Sequence, residues 1–213
     1  MEENKKNILE QIEEEADETI HPFLEFIVNN LKTIGIVLGG VIILVGAYSG
    51  YKYYKYSSLN KAKKELGMLI VSSKDREKDL LSFLTKAPSE LKPSIYVELV
   101  SLYFENNNLD KAYDVLENLK KLDDDIFAVC VLSQVNILMD KGDYKEAYNL
   151  VSTIDLDKYK NYKRETLFKK AFLAEKMNDF KNAYAYYVEL KKEFKQEDTS
   201  YLDAKISNLK EKI

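Results

Sequence analysis

Three prolines in 213 residues are too few for an all-β architecture, which uses turn-forming residues at every hairpin. One cysteine, Cys130, cannot close an internal disulfide and says nothing of redox compartment. One histidine, His21, leaves no histidine–cysteine cluster for a transition metal. Net charge is −4 rather than strongly positive, so the composition does not point to a nucleic-acid partner. Glycine is scarce and unevenly placed. Of seven, Gly35, Gly39, Gly40, Gly46 and Gly50 fall within one short stretch, leaving Gly67 and Gly142 for the rest of the chain. Against these scarcities, 46% hydrophobic residues exclude a wholly disordered chain and 32% charged residues exclude a polytopic membrane protein. The length suits one medium domain, or a small domain with an appendage.

The charge is split along the chain. Residues 1–32 carry nine acids, among them the run Glu13-Glu14-Glu15, against Lys5, Lys6 and Lys32. That balance of −6 leaves +2 for the remainder. Then Thr33 to Tyr51 reads TIGIVLGGVIILVGAYSGY, without a charge, between Lys32 and Lys52. As a helix it extends about 28 Å, close to the thickness of a bilayer's hydrocarbon core. A helix buried in a soluble domain would show a polar face. A cleaved signal peptide would open on a basic segment, whereas here an acidic one precedes. The sequence therefore predicts an uncleaved transmembrane helix over 33–51. Tyr48, Tyr51, Tyr53, Tyr54 and Tyr56 crowd one end, with Lys52 and Lys55 placed to reach headgroups. Gly35, Gly39, Gly46 and Gly50 fall at about 0°, 40°, 20° and 60° around a helix. They form a stripe with two GxxxG spacings, a candidate contact face for another membrane helix. Orientation is contested: Lys52, Lys55, Lys61, Lys63 and Lys64 follow the span and Lys32 precedes it. Positive charge favours a cytoplasmic C-terminal domain, but a large domain translocates largely regardless of charge.

Residues 52–90 read as juxtamembrane helices, the second around Asp79–Lys86 and ended by Ala87-Pro88. From residue 91 the chain repeats itself. NNLDKAY, GDYKEAY and NDFKNAY end at Tyr113, Tyr148 and Tyr184, and their alanines Ala112, Ala147 and Ala183 stand 35 and 36 residues apart. That spacing is close to the 34-residue tetratricopeptide period. The register extends outward to Leu109, Tyr144 and Phe180 three residues before each alanine. It continues to Leu116, Val151 and Tyr187 four after, and to Leu119, Ile154 and Leu190 seven after. Small alanines suit a close helix crossing, and the bulky positions fill the space beside it. The repeats are degenerate: Val100, Val135 and Ala171 replace a smaller crossing residue, and no closing proline occurs. The expected fold is all-α: an acidic tail (1–32), a span (33–51), juxtamembrane helices (52–90), and three degenerate repeats with a capping helix near Tyr201–Ile213 (91–213).

LEFIVNNLKTIGIVLGGVIILVGAYSGYKYYKY (24–56), ENNNLDKAYDVLENL (105–119) and DAKISNLK (203–210), in this order, resemble the membrane-anchored tetratricopeptide proteins grouped as ancillary subunits of the bacterial Sec translocon. Those proteins are related to the cell-division coordinator repeat domain, and the likeness extends over about 190 residues of this chain. It implies a bacterial inner-membrane protein with a cytoplasmic tail and periplasmic repeats. The repeats would meet emerging polypeptides or a periplasmic chaperone, while the span touches the translocon. The basic flank after the span departs from that expectation.

The chemistry-bearing residues favour binding over catalysis. His21 lies in the tail beside Pro22, so no Ser/His/Asp triad is available. Asp123-Asp124-Asp125 lacks the spaced ligands of a calcium loop and reads as acid favouring a helix start. Cys130 lies in the apolar run FAVCVL and reads as a buried small hydrophobe. No phosphate-binding glycine loop is present outside the span, and neither a cofactor nor a small-molecule substrate is expected. With the first helix of each repeat lining a concave face, Val97, Leu132 and Phe168 form one row. Ser101, Asn136 and Phe172 form the next, with Phe104, Met139 and Glu175 beyond. Only Asn136 suits a carboxylate clamp, so the surface reads either as an apolar peptide groove or as a face packed against the helices of 57–86.

Overall fold

The computed structural model describes residues 2–193 and 199–213, with the side chains of 2–25 and 28 outside that description. Among the described residues there are nine α-helices and no strand. They are α1 (Glu2–Ser72), α2 (Arg76–Lys86), α3 (Lys92–Glu105), α4 (Leu109–Leu119) and α5 (Phe127–Lys141), then α6 (Tyr144–Val151), α7 (Lys163–Lys176), α8 (Phe180–Glu193) and α9 (Ser200–Lys210). The chain divides into two compact units between Asn60 and Lys61.

In the first unit α1 carries the uncharged stretch. Its segment Asn29–Ser72, which extends into the second unit, is long and apolar enough to cross a membrane, and none of its apolar window is buried inside the chain. The sequence boundaries at 32/33 and 51/52 are not breaks in the helix, because no capping residue interrupts the backbone at either. Ile42, Ile43 and Leu44 are all exposed. Exposed apolar side chains around a whole helix are costly in water and are at home in hydrocarbon.

The second unit is a run of helical hairpins. α3 packs on α4, α5 on α6 and α7 on α8. Each pair also packs on the next through α4–α5 and α6–α7, and α9 closes on α8. The repeat visible in the sequence returns as repeated backbone geometry. Asn107, Gly142 and Asn178 have φ of 52°, 82° and 60°, and each stands five residues before its repeat's alanine. The next residue's amide closes the helix end in the same way each time: Asn108 N–H to Tyr103 O (2.8 Å), Asp143 N–H to Leu138 O (2.9 Å) and Asp179 N–H to Ala174 O (2.9 Å). This is the left-handed C-terminal closure that glycine and asparagine tolerate best. Asn108 and Asp179 then cap the following helix, accepting from the Lys111 and Asn182 amides at 3.2 Å. A short 3-10 turn also opens each hairpin, at Ser89–Leu91, Asp124–Ile126 and Lys160–Tyr162.

Ala112, Ala147 and Ala183 are completely buried, together with Val135, Ala171, Val151 and Tyr187. One core gathers Ala128, Val131, Leu138, Ala147, Val151 and Leu173 around the middle hairpin. A second gathers Leu167, Ala174, Ala183, Tyr187 and Leu190 with Leu209 of α9. Each fully buried leucine or valine contributes about 1.5–3 kcal/mol, so the stacked cores are the main source of the unit's stability. Of the two fully buried polar side chains among the described residues, Gln134 and Thr166, Gln134 lies between α4 and α5. Gln134 Nε2 donates to Tyr113 O (3.2 Å) and Glu117 Oε2 (3.3 Å), while its Oε1 accepts from Lys120 Nζ (3.4 Å). With its amide satisfied, Gln134 joins α4 to α5 without an unpaired polar group.

Candidate functional site

The glycine stripe is accessible. Apart from its own helix backbone, a methyl group placed on Gly35, Gly39, Gly46 or Gly50 would meet no heavy atom within 4 Å among the described residues, so no described side chain accounts for the small residues there. The tyrosines that follow, from Tyr48 to Tyr56, are likewise exposed. His21 lies outside the described side chains.

In the second unit the predicted concave rows are uneven. On α3, Val97 and Phe104 are 52% and 43% exposed, with Ser101 exposed between them. On α5, Leu132 is only 3% exposed and belongs to the middle core; as a groove-lining residue it is corrected. The reason is position. α5 packs on α4 and on α6, and buries eight side chains against the four that α3 buries. Asn136 is exposed, and its Oδ1 accepts from Lys169 Nζ of α7. Met139 and Phe172 lie half-buried against the middle core. Phe168 keeps 38% of its surface and stands edge-on to Tyr187 and tilted against Tyr201, each ring centre 6.3 Å away. Glu175 is taken up by Lys205 of α9. The predicted rows thus resolve into an apolar patch on α3 and a mixed aromatic–lysine surface on α7. Val97 and Phe104 are not packed away, which answers the alternative of a covered face for those two residues.

Other candidates have structural explanations. Asp123 Oδ1 accepts from the Asp125 amide at 2.9 Å, and Asp124 pairs with Lys158 and with the Tyr159 hydroxyl (2.8 Å). The Lys158 ammonium, then Tyr159, holds the Asp124 carboxyl below its ordinary range. Cys130 is buried, and that burial pushes its thiol up to about 11. A thiol held so far from ionisation is a poor nucleophile at neutral pH. Among the described residues no group of three histidine, cysteine or acidic side chains is arranged to hold a metal ion.

Sequence reasoning missed one feature. Phe172, Glu175, Lys176, Phe180, Lys205 and Lys212 line a cavity of about 370 Å³ where α7 and α8 meet α9. Its lysines come from two separate parts of the chain, Lys176 at the end of α7 and Lys205 and Lys212 in or just after α9, so no local motif announces them. The family models, curated proteins and solved structures compared with the chain contain no match.

Proposed function

We propose that the chain is a non-enzymatic, single-pass protein of the bacterial inner membrane whose tetratricopeptide-like domain binds other proteins. In this reading the domain faces the periplasm and serves as an ancillary part of the translocon and its chaperone network. The carrying observation is the joining of two elements. An apolar helical segment with no buried surface precedes three hairpins that share one turn geometry. Neighbour-stacked hairpins expose a long continuous surface, and such surfaces characteristically engage polypeptides. The exposed Val97 and Phe104 supply an apolar contact on that surface, and the open glycine stripe supplies one in the bilayer.

A second reading is favoured by one specific observation, the five lysines that follow the span. It places the domain in the cytoplasm, as a tethered scaffold for assembling a membrane complex. Because Cys130 is buried, the topology reporter must be moved. In a Cys130→Ala background, Ser207→Cys puts a thiol at an exposed position on α9. A membrane-impermeant maleimide should label it in intact spheroplasts; labelling only after lysis establishes the second reading instead. A photo-crosslinker at Phe104 should capture a protein in either compartment, and absence of any crosslinked protein counts against the binding role itself. Gly39→Leu with Gly46→Leu should reduce recovery of a membrane partner, whereas unchanged recovery removes the stripe as a contact face.

A further inference from the structure

The cavity between α7, α8 and α9 has an unusual electrostatic arrangement. Three lysines and one glutamate contribute to its lining. The glutamate is already neutralised: Lys205 Nζ lies 2.8 and 3.0 Å from the two Glu175 carboxylate oxygens, and the Tyr187 hydroxyl donates to Glu175 Oε2 at 3.4 Å. Hydrogen bonding to Glu175 raises Lys205's affinity for its proton, so this lysine stays charged and occupied. Lys176 and Lys212 are different. Lys176 Nζ sits 5.4 Å over the Phe172 ring and 5.8 Å from the Tyr144 ring, and Lys212 Nζ sits 4.9 Å over Phe180. Among the described residues neither ammonium has a carboxylate partner. An aromatic face holds an ammonium in place without cancelling its charge. The cavity therefore carries a net side-chain charge of +2 on lysines already oriented by rings.

A site of this kind excludes metal cations and attracts anions. Its size lies at the lower end of ligand pockets, enough for one or two side chains rather than for a cofactor. Its aromatic floor accepts the methylene stem of an acidic side chain while the ammoniums meet the carboxylate. The cavity also shares Phe172 and Glu175 with the rows predicted for α7, so a peptide lying along those rows reaches it directly.

We propose that this cavity binds the side-chain carboxylates of an acidic segment of a partner protein, through Lys176 and Lys212. The proposal rests on the protein-binding reading above and names the chemistry of what is bound. The test uses the full chain in detergent and two fluorescein-labelled, C-terminally amidated peptides, one carrying four glutamates and the other four glutamines in their place. The glutamate peptide should bind, and the glutamine peptide about tenfold more weakly or not at all. Lys176→Gln with Lys212→Gln should remove that preference. Lys121→Gln with Lys145→Gln changes net charge equally at positions outside the cavity and should leave the preference intact. Equal binding of both peptides, binding of neither, or equal losses in the two double variants overturns the carboxylate site. None of these outcomes decides the protein-binding reading, which stands or falls with crosslinking at Phe104.

Discussion

Gly142 shows how much one backbone position carries. Its φ of 82° lies where a side chain is strained, although space for a Cβ is open. A methyl group there therefore acts through the backbone alone, and Gly142→Ala should destabilise the second unit by about 1 kcal/mol. For a unit of about 150 residues that corresponds to a fall in Tm of about 2–4 °C, readable by circular dichroism. Asn107 and Asn178 hold the same conformation in the flanking hairpins. Asn107→Gly should accordingly be neutral or slightly stabilising, and a loss comparable to Gly142→Ala would show that the asparagine side chain itself matters. Glycine at one turn and asparagine at the other two conceal a shared geometry, because the sequence repeats the conformation without repeating the residue.

At the level of helices, the alanines of the repeat were legible because a small residue at a helix crossing is a steric requirement. Ala147 has no exposed surface and lies among Val135, Leu138, Val151 and Leu173. Ala147→Leu adds three carbons to a filled space and should cost about 1–3 kcal/mol, read as a lower urea midpoint. Lys145→Ala, exposed on the same helix, should change stability by no more than about 0.5 kcal/mol. The groove rows were less legible. Transferring one face from helix to helix assumed three equivalent environments, but α5 belongs to the middle hairpin and packs on α4 as well as α6, so Leu132 is drawn into the core while Val97 at the equivalent place on α3 stays exposed. The ends of α1 were hidden for another reason: a change from charged to apolar residues alters what surrounds a helix without stopping it. The lysine cavity left no trace in any single segment, since its charges meet only after α9 folds back on α7 and α8.

Across the second unit as a whole, buried and half-buried phenols make stability sensitive to alkali. Desolvation, then hydrogen bonding to Glu77, pushes Tyr103 up to about 12. Desolvation, then the hydroxyl contact with Tyr186, pushes Tyr148 up to about 12 as well. Burial raises Tyr187 too. Each folded-state pKa lies above the unfolded value near 10, so the folded unit holds these protons more tightly. The resulting stability is fully present below about pH 10 and is lost as pH rises toward 12. Urea midpoints of the full chain should therefore be insensitive to these groups from pH 7 to 9 and fall steeply from pH 10 to 12. Tyr103→Phe with Tyr148→Phe should flatten that fall; an unchanged slope would assign the alkaline loss to lysine ion pairs such as Lys205–Glu175.

The hairpins also have a mechanical consequence. In the second unit the main packing joins each helix to its sequence neighbours, so native structure can grow from one end as soon as each successive pair is available. A chain assembled that way need not wait for its last residue before its first hairpin closes. The same connectivity lets it peel apart from an end, one hairpin at a time, under a pulling force. A domain with this linear zipper can fold as it emerges from a narrow opening and tolerate local unravelling while the hairpins farther along stay closed.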